Sequence, residues 1–196
     1  MKKLMFNDRF ALTSAVIDGR KTQTIRIVRP QPVYDEYTGI IWKGYAYGRG
    51  ASDSEEPQHS YRNFVHTSPI KKEEIIAIAR KYSETPAAYF EDWELETEWF
   101  RKGFNNKMFV RAEYMKYRVR ITNVRLQRLQ DITEIDCLKE GIRQFGEQFG
   151  YYDNKRNVTN LFGTSRCAYA DLINKISGKG TWESNPFVFV YDFELI

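Results

Sequence analysis

The apolar positions alternate between helical and strand spacing along the chain. Phe10, Leu12, Ala15, Val16 and Ile17 fall on one helical stripe, with Asn7 or Asp8 placed to cap it and Gly19 to end it. Residues 20–24 read as a non-repetitive loop that becomes extended over 25–28 and stops at Pro30 and Pro32. A short apolar run at 75–79 predicts a buried strand. Strands are also predicted over 107–112 and 117–121, with Val119 and Ile121 facing in and Arg118 and Arg120 facing out. The parity then flips to Val124 and Leu126, so Thr122 and Asn123 mark a bulge. Thr133 caps a helix that Gly141 ends, and a further helix over 164–177 carries Tyr169, Leu172, Ile173 and Ile176 on a stripe that reads as packing. Alternation from Phe187 to Ile196 is the clearest strand signal, apolar on both faces at first and so central in its sheet.

Between these elements the pattern weakens. Residues 33–70 read as an insertion running over the surface, with a short hairpin around 39–42, and Trp42, Tyr45 and Tyr47 are candidates to stack on a base. His59 and His66 fall in it as incidental surface residues. Residues 86–106 form a second insertion, an acidic helix or lid containing Glu91, Asp92, Glu94, Glu96 and Glu98, which read as a solvated face. Residues 145–152 read as a loop with aromatic anchors, and 154–160 as an exposed polar connection.

Mixed helix and strand signals define an α+β chain, and 196 residues without a Pro/Gly/Ser-rich linker predict a single domain over 1–196. Cys137 and Cys167 are the only cysteines, which excludes a disulfide framework and a cysteine zinc site and fits a reducing, cytoplasmic setting. Charge begins at Lys2, too early for a secretory leader, and no apolar run is long enough to span a bilayer, so a membrane partner is not expected. The net charge of +4 is compatible with an anionic partner. Lys107, Arg111, Lys116, Arg118, Arg120, Arg125 and Arg128 concentrate that charge, either as the wet face of strands or as a phosphate-binding stripe.

The densest chemistry follows the first helix. Gly19, Arg20, Lys21, Thr22, Gln23, Thr24, Ile25 and Arg26 put bases and hydroxyls beside a helix end. Glu140 lies in the last turn of the helix that Gly141 ends, where its charge opposes the partly negative helix terminus; such a charge is usually tolerated by exposure, or else is held by a cation, for which Lys21 or Arg26 would serve. The spacing Gly-x-Lys-x-x-Thr-x-Arg resembles the signature of the ASCH family, a branch of the PUA-like β-barrel proteins. Two further stretches follow the same order: Lys139-Glu140-Gly141-Ile142, and a last strand entered through Trp182-x-x-Asn185-Pro186. With Asn105-Asn106-Lys107-Met108-Phe109, the chain resembles the longer ASCH form common in bacteriophages and prophages.

The resemblance implies a PUA-like β-barrel of mixed strands flanked by helices, and a nucleoside or RNA as partner. It also implies an amidohydrolase of N4-acetylcytidine in which Lys21, Thr24 and Glu140 are catalytic, working without metal or cofactor. A threonine hydroxyl needs a base, and Lys21 serves only when neutral, which burial or a neighbouring Arg20 or Arg26 would favour. Glu140 would hold the amide or protonate the leaving amine. Arg26, Arg20, Arg118 and Arg120 are the candidates for binding substrate or phosphate. The alternatives are a non-catalytic RNA-binding module that places these cations on phosphates, and a ribonuclease, for which no carboxylate pair is evident.

Overall fold

The computed structural model describes residues 1–47, 58–153, 157–158 and 160–196. The strands are β1 (Lys3–Leu4), β2 (Gln23–Ile27), β3 (Val33–Asp35), β4 (Gly39–Trp42), β5 (Tyr45–Tyr47), β6 (Ile75–Ile78), β7 (Arg118–Arg128), β8 (Arg143–Phe145), β9 (Gln148–Gly150) and β10 (Phe187–Leu195). The helices are α1 (Leu12–Ile17), α2 (Gln58–Val65), α3 (Asp92–Leu95), α4 (Glu98–Asn105), α5 (Glu134–Lys139), α6 (Ser165–Ser177) and α7 (Thr181–Ser184).

Five strands form the main sheet in the order β1-β6-β7-β10-β2. β1 runs parallel to β6 and every other pair is antiparallel, so the sheet is mixed. β10 lies between β7 and β2, and Phe187 to Tyr191 are all buried, as a strand covered on both faces requires. The expected bulge is present: Asp192 pairs with Asn123 and Phe193 with Ile121, leaving Thr122 as the extra residue in β7. β7 thereby changes the face its alternate side chains present at the height of the Gln23–Asp192 pair, while β10 keeps its alternation.

Several elements differ from the sequence expectation. The first helix is two pieces, because a 3-10 turn over Asp8–Phe10 capped by Asn7 ends at Ala11 in the left-handed region before α1 starts. β2 begins at Gln23, so the loop is confined to residues 20–22, since pairing with β10 extends to Gln23 opposite Asp192. Residues 107–112 are not a strand: Asn106 accepts from the Met108 amide and starts a 3-10 turn, and a second turn spans Ala112–Tyr114. Residues 143–150 form the β8–β9 hairpin rather than a loop. Asn154 to Arg156 and Thr159 of the predicted connection lie outside the described residues.

The described parts of the 33–70 segment contribute to the core through Ile40 and Phe64, although Val33, Tyr37 and Tyr45 are exposed. β3, β4 and β5 form a meander, and the β4–β5 turn uses Lys43 and Gly44, both at positive φ, as a two-residue hairpin with the strand twist requires. Gly48, Gly50, Ser52 and Ser54 lie outside the described residues, as does the side chain of His59; His66 is exposed. Phe64 of α2 is fully buried, stacks on Phe189 of β10 at 5.7 Å between ring centroids, and meets Trp42 and Tyr47 edge-on. Trp42 also donates to the Pro30 carbonyl at 2.7 Å, so its ring braces the meander.

The 86–106 segment builds a second apolar cluster around Tyr82, which stacks on Phe100 and meets Phe90 and Trp99 edge-on. Gly103 of α4 lies flat on the Tyr82 ring, where a Cβ would come within 2.3 Å of a ring carbon. Of the five carboxylates, Glu94 is buried, closing a capping box with Glu91 and accepting from the Tyr114 hydroxyl. Lys107 ties this cluster to the N-terminal segment through the Phe6 carbonyl and Asp8, the latter at 2.8 Å. Among the described residues no helix is long and apolar enough to cross a membrane.

Phe64→Ala is expected to cost about 3–5 kcal/mol in chemical denaturation, the range for emptying a core aromatic site. A loss below about 1 kcal/mol would return the 33–70 segment to the surface.

Candidate functional site

The loop after α1 is fixed by its own backbone. Gly19 takes a φ of 72°, and the amides of Arg20 and Lys21 both donate to the Ala15 carbonyl at 2.9 and 2.8 Å, wrapping the helix end. Thr22 then donates to the Lys139 carbonyl at 3.0 Å and accepts from Phe193 at 2.8 Å, which ties the loop to α5 and β10. Lys21 is turned inward as a result.

Helix α5 delivers its partner. Thr133 and Asp136 form a reciprocal capping box, and Glu140 closes the C-terminus ahead of Gly141 at φ 107°. Lys21 Nζ donates to Glu140 Oε2 at 2.6 Å and to the Glu140 carbonyl at 2.9 Å. One ammonium thus answers both the carboxylate and a helix-end carbonyl, which resolves the unfavourable placement of Glu140. Lys21 is 2% exposed and Glu140 6%.

Burial governs the protonation of this pair. Desolvation lowers the Lys21 pKa, Glu140 opposes the shift, and the nearby Arg26 charge reinforces it. Desolvation raises the Glu140 pKa against the pull of Lys21 and Arg26. Burial thus disfavours the charged form of each group, while their mutual contact favours it.

A second layer holds the pair. Arg125 of β7 donates to Asp136 at 2.8 Å, one helical turn before Glu140, to Asp192 at 2.6 Å and to Gln23 Oε1 at 2.9 Å. This fixes the Gln23 side chain, which is fully buried, beside Glu140, where its amide favours the charged carboxylate. Gln23 Nε2 and Glu140 Oε1 nonetheless remain without a hydrogen bond of good geometry.

The pair lies in the floor of a cleft of about 460 Å³. Thr24 and Arg26, two apart on β2, both line it, as the strand period requires. Thr24 is buried and is joined by no hydrogen bond to Lys21 or Glu140; Arg26 is exposed and donates through Nη2 to the Met5 carbonyl at 2.9 Å. Leu172, Ile173 and Ile176 of α6 form an apolar wall. Tyr169, also on α6, reaches the cleft with a buried hydroxyl that has no partner, and burial beside Glu140 raises its pKa well above the ordinary phenol value.

Lys21, Thr24, Arg26 and Glu140 therefore converge, and three other sequence candidates do not. Arg20 points away from the cleft and pairs with Asp18 at 2.9 Å. Arg118 and Arg120 stand on β7 outside the cleft, with Arg120 paired to Glu194 at 3.3 Å. Much of the basic stripe is engaged within the molecule: Lys107 with Asp8, Arg111 over Trp99, Arg125 with Asp136 and Asp192, Arg128 over Phe187. Tyr169 was missed because its stripe reads as packing; the available signal was a phenol at a core position, which needs a partner for its hydroxyl. Arg29, which also lines the cleft, carried no motif signal.

Among the described residues no group of three or more His, Cys, Asp or Glu side chains is placed to hold a metal ion. No protein-family model, curated protein or solved structure matches the chain.

Lys21→Met leaves a buried carboxyl without its cation and is expected to destabilise the protein by about 3–5 kcal/mol, whereas Lys21→Met combined with Glu140→Leu should recover most of that loss. Urea denaturation of the three variants checks this; additive losses would show that the two side chains do not act as a unit.

Proposed function

We propose that the chain is an ASCH-type, PUA-like barrel protein and an amidohydrolase that releases cytidine and a carboxylate from N4-acylcytidine. The carrying observation is the buried Lys21–Glu140 contact at 2.6 Å in the floor of a cleft that Thr24 also lines. A buried lysine whose pKa burial lowers, lining the same cleft as a hydroxyl, is suited to activating an oxygen nucleophile. The mixed, mostly antiparallel sheet flanked by helices supports the assignment at the level of an α+β fold.

In this reading Thr24 Oγ1 attacks the acyl carbonyl as neutral Lys21 takes its proton. The developing oxyanion is met by the Tyr169 hydroxyl, which its raised pKa keeps protonated as a donor. Collapse breaks the C–N4 bond, and the leaving amine takes a proton from the Lys21–Glu140 pair. Water, deprotonated by the same pair, then hydrolyses the threonyl ester to free carboxylate and restores the hydroxyl. The apolar α6 wall is suited to the face of the base.

Purified protein is expected to release cytidine from N4-acetylcytidine, read by chromatography. Thr24→Ala and Glu140→Gln should lower turnover at least about 100-fold, and Tyr169→Phe about 10–100-fold, with folding confirmed by circular dichroism. Because Lys21 acts as a base, kcat/KM should rise with pH through its depressed pKa and level off below the ordinary lysine value of 10.5. Absence of turnover across several acyl groups would discard the proposal.

A further inference from the structure

The cleft carries an unbalanced charge. Its lining brings three cations, Lys21, Arg26 and Arg29, against one carboxylate, Glu140. Lys21 and Glu140 cancel each other at the buried floor, which leaves two guanidinium groups on its solvent side. Arg29 is exposed and makes no ion pair or hydrogen bond among the described residues, and Arg26 uses only Nη2, on a backbone carbonyl. On β7, Arg120 and Arg125 are matched to carboxylates, whereas Arg118 and Arg128, which lie outside the cleft, have no carboxylate partner among the described residues. Two unneutralised guanidinium groups at a cleft fit a phosphate, whose oxygens accept paired N–H donors. The cleft volume of about 460 Å³ is in the range for one small ligand rather than a folded nucleic acid.

Resting on the hydrolase reading above, we propose that the preferred substrate is a nucleotide, the 5′-monophosphate of an N4-acylated cytidine. Arg26 and Arg29 hold the phosphate at the mouth, and the acylated base reaches Lys21, Thr24 and Glu140. Free nucleoside lacks the group these arginines are placed to bind and is the poorer substrate.

The test compares kcat/KM for N4-acetylcytidine, its 5′-monophosphate and a short oligoribonucleotide carrying one N4-acetylcytidine, with intact protein and Arg29→Gln. The monophosphate should exceed the nucleoside by about tenfold or more, and Arg29→Gln should bring that ratio close to one, as expected for losing a charge-assisted contact. Equal use of nucleoside and monophosphate would overturn the inference and leave the hydrolase reading standing. A clear preference for the oligoribonucleotide would overturn it in favour of RNA. If none is hydrolysed, calorimetry with cytidine and cytidine 5′-monophosphate separates the two ideas. Arg29-dependent preference for the monophosphate would sustain the nucleotide site while retiring the hydrolase, and no preference would end both.

Discussion

The contact between Lys21 and Glu140 is the constraint from which the local architecture follows. A charge-bearing pair withdrawn from water is costly to bury, and hydrogen bonds must offset that cost. Lys21 supplies two of them, to Oε2 and to the carbonyl of Glu140 at the end of α5. The loop after α1 must then dock on α5, which the Thr22–Lys139 hydrogen bond secures, and α5 must sit on the sheet, which Arg125 secures through Asp136. Helix, loop and strand are thus located relative to one another by polar contacts inside an otherwise apolar core.

That arrangement leaves some groups unsatisfied. Tyr169 Oη, Glu140 Oε1 and Gln23 Nε2 are buried without partners. Each costs stability where it stands, and of the three residues Tyr169 and Glu140 line the cleft, whereas Gln23 lies behind it beside Glu140. Cys137 offers the contrast: burial pushes its thiol up to about 12, so it is an inert part of the packing beneath α5.

The site was legible in the sequence where a local rule forced one answer. Thr133, Asp136 and Gly141 mark both ends of α5, and the misplaced charge of Glu140 left two outcomes, exposure or a cation from the Gly19–Arg26 stretch, of which burial selected the second. The bulge at Thr122 was readable from the parity of Val119, Ile121, Val124 and Leu126. Features set by distant partners were not. β1 is two residues long and exists because β6 lies beside it, and Phe64 is core because Phe189 receives its ring. Residues 107–112 have strand-like alternation but no neighbouring strand, and side-chain capping by Asn106 decides the local geometry. Arg20, Arg118 and Arg120 illustrate the remaining gap: charge along a chain does not reveal which side of a strand or turn will face a cleft.

The pairing of β2 with β10 bears on how the molecule comes into being. About 160 residues separate the two strands, and β10 is the neighbour that β2 acquires in the main sheet. On a ribosome the stretch bearing Lys21 and Thr24 emerges well before β10, its inner face uncovered by a strand not yet made. Closure over so long a loop is a late and slow event. The side chains gathered around Lys21 are therefore brought together only after β10 has been synthesised and has paired with β2.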